Sequence, residues 1–81
     1  MLTKNIKQEL NQVVWDIILH EWETGLPIKE ADDVINFTVE ELIEDKPAIL
    51  GFGTEREIKN YCHDVFDVVL SKFVTEYGDT K

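Results

Sequence analysis

Apolar residues recur at helical spacing in three stretches of the chain, and no stretch shows the period of two that a strand requires. In the first stretch Ile6, Leu10, Val13, Val14, Ile17 and Ile18 fall on successive turns, with Thr3 in front of them as an N-cap. Gly25 can adopt the left-handed backbone that ends a helix, and Pro27 prevents the helix from resuming. The pattern therefore predicts a helix from about Thr3 to Thr24.

The second stretch begins near Ile28 or Lys29 and ends before Lys46 and Pro47, with Ala31, Val34, Ile35, Val39, Leu42 and Ile43 as its apolar side. Thr38-Val39-Glu40-Glu41 has the form of a capping box, and Phe37 with Leu42 fits the hydrophobic staple that accompanies one. The stretch reads either as one continuous helix or as two pieces broken at Phe37. The third helix starts at a second capping box, Thr54-Glu55-Arg56-Glu57, and keeps Ile58, Cys62, Val65, Phe66, Val69, Leu70, Phe73 and Tyr77 on its inward side. Gly78 is a natural stop, and residues 79–81 are expected to fray. The connection from Lys46 to Gly53 is unusually apolar. Ile49, Leu50 and Phe52 either cap the core or protrude as a finger.

These elements predict an all-α fold: one helical domain over residues 1–81, a small antiparallel bundle of three principal helices, the second continuous or broken in two. Projection at about 100° per residue adds a second apolar stripe, Trp15, Leu19 and Trp22, beside the Leu10–Val14–Ile18 stripe of the first helix. A helix that is apolar almost all round is either central or covered by a second chain, so a homodimer through this stripe is an expectation. Tyr61 and Val68 lie outside the compact apolar face of the third helix and belong to the same second surface.

Charge changes the picture more than composition does. Seventeen Asp and Glu face eight Lys and Arg, a formal charge of −9, while a hydrophobic content of 43% excludes a disordered acidic tail. Such a charge repels nucleic acid and anionic lipid, and so argues against direct nucleic-acid binding. It favours basic partners, nucleic-acid-binding proteins among them, or else serves solubility alone. The single cysteine, Cys62, cannot form an internal disulfide and points to a reducing, cytoplasmic setting. Asp16 interrupts the apolar run from Val13 to Leu19, so neither a signal peptide nor a membrane span is expected.

The inventory for chemistry is poor. Cys62, His63 and Asp64 are adjacent, but on a helix they point about 100° apart and cannot act in series. Ser71 has no His at helical reach, and it sits late in the third helix rather than in the Asp-Ser-Leu setting of an acyl carrier protein. His20 beside Asp16 or Glu23, and His63 beside Asp67, read as surface ion pairs rather than ligand sets. Gly51-Phe52-Gly53 precedes a helix start but matches no phosphate-loop fingerprint, and Glu55 and Glu57 would repel phosphate there. No catalytic residue, cofactor or metal site is expected.

From Glu30 to Asp45 the chain has seven acids and no base. On a continuous helix Glu30, Asp33, Glu40, Glu41 and Glu44 would share an outer face with Phe37 projecting from its middle. That arrangement reads as an interface anchor with a charged rim, or as a solvated face with Phe37 stapled inward. The functional expectation is a non-enzymatic acidic domain that inhibits or regulates a partner through its basic surface. Where that surface binds nucleic acid, the carboxylates stand in for phosphates, by analogy with small acidic immunity proteins and phage inhibitors. The alternative is a homodimerisation or adaptor module that binds through apolar helix surfaces or holds a partner's helix in a groove.

Overall fold

In the computed structural model, which describes residues 1–78, five helical segments follow one another. They are α1 (Lys4–Glu23), a 3-10 segment (Ile28–Val34), α2 (Ile35–Asp45), a second 3-10 segment (Pro47–Gly51) and α3 (Glu55–Tyr77). The described residues contain no strand, so the protein is a small all-α bundle. The fraying expected at 79–81 lies outside the described residues.

The ends of α1 and α3 are set by the residues the sequence marks. The Thr3 hydroxyl accepts the Ile6 N–H at 3.2 Å, and Gly25, at φ 78°, takes the left-handed turn that a β-carbon would strain. Thr54 and Glu57 form a reciprocal capping box, each side chain accepting the other's backbone N–H at 3.1 Å. Just before it, a β-carbon on Gly53 would lie 2.9 Å from Leu2 Cδ2, so the absent side chain lets the N-terminus pack against the start of α3. At the far end α3 stops at Gly78, whose N–H reaches the Val74 carbonyl at 2.8 Å.

The helices run up, down and up. Asn36 meets His63 and Glu40 meets Lys59, so α2 runs antiparallel to α3. Asn11 meets Tyr61 near one end of the bundle and Trp22 meets Tyr77 near the other, so α1 runs parallel to α3. The core is Leu10, Val14 and Ile18 from α1, Ile35 and Val39 from α2, and Ile58, Cys62, Phe66 and Phe73 from α3, with Ile28, Ala31 and Ile49 closing it. The shared helix is α3, which packs on both others, whereas α1 packs on the first 3-10 segment more than on α2. The wide apolar surface of α1 packs chiefly on α3 and on the first 3-10 segment.

The structure decides four points that the sequence leaves open. The second stretch is neither one continuous helix nor broken at Phe37. Its break falls at Val34–Ile35, where 3-10 geometry gives way to α. Thr38 does not cap a helix, because its hydroxyl donates to the Val34 carbonyl at 2.8 Å from inside α2. Phe37 is accordingly no staple; 64% of its surface is exposed. The apolar connection both caps and protrudes: Ile49 is buried, while Leu50 and Phe52 stay over 40% exposed, at 45% and 41%.

Candidate functional site

On α2, Phe37, Glu40, Glu41 and Glu44 fall within roughly a 100° arc, and Ile35, Val39, Leu42 and Ile43 fall opposite them. The second group is buried or half-buried, so the first must face outward. All four outward residues are exposed. Glu30 and Asp33 are exposed too, but they lie on the preceding 3-10 segment. Its tighter winding breaks the register, so the five-carboxylate stripe expected of one helix is not formed. Glu40 leans to the α3 side, 3.5 Å from Lys59, which also holds Glu55 at 3.1 Å. The hydrogen bond to Glu55, and then the charge of Glu40, holds the Lys59 ammonium above its usual range. Among the described residues, no cation is paired with Glu41 or Glu44 on the outer face of α2.

On its other flank, Phe37 borders a groove of ~550 Å³ between α1 and α2. Val13, Asp16, Ile17, His20 and Glu21 of α1 form one wall, and Val34, Phe37, Thr38 and Glu41 form the other. The floor is apolar and the rim carries Asp16, Glu21 and Glu41 together with the exposed His20, with no Lys or Arg among the lining residues. The Gln12 amide donates to Asp16 at 2.9 Å. The groove exists because α1 turns its Val13–Ile17 side toward α2 without α2 packing along it.

The second apolar surface read from the sequence is largely enclosed within the chain. Trp15 and Trp22 meet Phe73 edge to face at 5.1 and 5.8 Å between ring centroids, and Tyr77 closes the cluster at 5.2 Å from Trp22. Leu19 is half-buried against the core. Tyr61 donates its hydroxyl to Asn11 at 2.8 Å, with Lys7 over its ring at 5.9 Å. Val68 alone of this set is more than half exposed, beside Trp15 and Val65 in a smaller cleft between α1 and α3. Sequence reasoning placed the exposed apolar surface on the Trp side of α1. The Val13–Ile17 side borders the groove instead, and its signal was the mixed apolar and acidic run Val13, Asp16, Ile17, His20, Glu21 at helical spacing.

Cys62 is fully buried, and burial pushes its thiol up to about 11. Its neighbours His63 and Asp64 are exposed, and the His63 ring is hydrogen-bonded to Asn36 at 2.9 Å. Among the described residues no three His, Cys, Asp or Glu side chains converge to hold a metal ion. No helix among them is long and apolar enough to cross a membrane.

Fold and site together define a small all-α bundle with an acidic outer helix face beside an apolar groove. Comparison with protein-family models, with curated proteins and with solved structures gives no match.

Proposed function

We propose that the protein is a non-enzymatic binding domain that docks the outer face of α2 on a basic surface of another protein and so inhibits or regulates it. The observation that carries this reading is Phe37, 64% exposed and set among Glu40, Glu41 and Glu44. An exposed aromatic anchor within a charged rim is the usual composition of an interface hot spot. The net charge of −9 adds long-range attraction toward a basic partner and speeds its approach. Where the partner binds nucleic acid, the carboxylates occupy positions its phosphates would take. The lone buried thiol is compatible with a cytoplasmic setting.

The alternative, homodimerisation through Trp15, Leu19 and Trp22, draws less support, since Phe73 and Tyr77 of the same chain already pack on both tryptophans. The test is reversal of the two unpaired carboxylates. Glu41→Lys with Glu44→Lys should abolish capture of the partner from the source cell at about 0.15 M salt while the melting curve stays in place. Glu40 is left alone because its reversal would set two cations together at Lys59. Undiminished capture by the reversed protein would refute acidic docking and leave the Trp15–Val68 cleft as the leading surface.

A further inference from the structure

The groove beside Phe37 is lined on two sides only, and its dimensions and chemistry limit what can fill it. Along α1 it runs from Val13 to Glu21, about 12 Å at 1.5 Å per residue, and the wall from Val34 to Glu41 is about as long. That is room for about two turns of a helix. Thr38, the hydroxyl in the lining, is already bonded to the Val34 carbonyl, which leaves an apolar floor of Val13, Ile17 and Val34 with the exposed Phe37 ring at its edge. The described residues offer no strand edge with which an extended peptide could pair. An extended segment laid here would leave its own N–H and C=O groups facing apolar side chains, whereas a helix satisfies them internally. The rim of Asp16, Glu21 and Glu41 fits flanking lysines or arginines and repels a second copy of this −9 chain.

We propose that this groove seats one basic amphipathic helix of the partner, with its apolar stripe on Val13, Ile17, Val34 and Phe37 and its cations between the α1 and α2 rims. The inference rests on the acidic-docking reading above and names the part of the partner that is bound.

The test uses a Leu/Lys amphipathic peptide of about 18 residues, long enough to be helical. Its controls are a Leu/Glu counterpart and a Leu/Lys peptide shuffled so that no face is apolar. Methyl NMR at about 0.15 M salt should show the Leu/Lys helix shifting Val13, Ile17 and Val34 while Ile58 and Val69 stay in place. Both controls should bind at least ~10-fold more weakly. Phe37→Ala should weaken the peptide at least ~10-fold, and Asp16→Lys, on α1 and away from the α2 face, several-fold. Equal binding of the shuffled peptide, or shifts confined to residues outside the groove, would overturn the inference. So would concentration-dependent shifts of the same methyls without peptide, which would identify a second copy as the occupant. Loss of the native partner in the Glu41/Glu44 reversal combined with normal partner binding by Asp16→Lys would remove the groove and leave acidic docking standing. Retention of the partner by that reversal would overturn both.

Discussion

Phe37 is largely exposed and Cys62 fully buried, and each position has a measurable consequence. With 64% of its surface in solvent, Phe37 makes few contacts that folding would lose. Phe37→Ala should therefore shift the melting temperature by no more than about 2–3 °C, the size expected when well under 1 kcal/mol is at stake in a domain this small. A larger drop would mean the ring is packed. Cys62 is fully buried with its thiol raised to about 11, so at pH 7 only about one molecule in ten thousand carries the reactive thiolate. A thiol reagent should label it slowly in the native protein and quickly in denaturant, and rapid native labelling would contradict its place in the core. Because folding raises this pKa, the native state keeps a proton that the unfolded chain begins to lose near 9. Stability should therefore decline as pH rises from about 9 toward 11.

Two segments of the form Thr-x-x-Glu have different fates, and the reason lies in the elements around them. Thr54 follows Gly51-Phe52-Gly53 and begins a helix, so its hydroxyl and Glu57 can cap. Thr38 follows Ile35, which must be in helical register with Val39 for both to reach the core. The helix therefore already exists at Thr38, and its hydroxyl turns back to Val34. Local pattern marks both as starts, and only tertiary burial separates them. Thr54→Ala should accordingly cost ~0.5–2 kcal/mol. Thr38→Ala should change stability by less than ~0.5 kcal/mol, because helix propensity favours Ala and the back-bond adds little. Equal losses in chemical denaturation would contradict this assignment. The same cap has a pH signature. The Thr54 N–H, and then its hydroxyl bond, holds the Glu57 carboxyl below its usual range. A pKa lowered by folding gives stability that is present above the unfolded value and lost as pH falls through the folded one. Glu57→Gln should therefore flatten part of the acid side of the stability profile, and an unchanged acid slope would mean the box is not closed in solution.

At the scale of the molecule, the three helices, the caps of α1 and α3 and most core residues are legible in the sequence, because helical periodicity reports directly which side of each helix is inside. What the sequence leaves open is how the wide apolar surface of α1 is shared. The rings of Phe73 and Tyr77 at the end of α3 reach across to Trp15 and Trp22, a contact that depends on α1 and α3 running parallel. The remaining Val13–Ile17 side is then left beside α2 as the groove. With the tryptophans enclosed, sedimentation at micromolar concentration should give a monomer, and Trp15→Gln should lower the melting temperature by several degrees. A dimer that this substitution dissolves would show that the stripe is an interface after all.

The central claim is that Phe37 and its carboxylates form a binding surface rather than a solvated helix face. It is tested most directly by the dissociation constant of the Leu/Lys amphipathic peptide for the native protein and for Phe37→Ala, measured on samples whose melting temperatures are also recorded. The account predicts at least ~10-fold weaker binding by the variant, about 1.4 kcal/mol, with the melting temperature essentially unmoved. Equal affinity for the two proteins would contradict it.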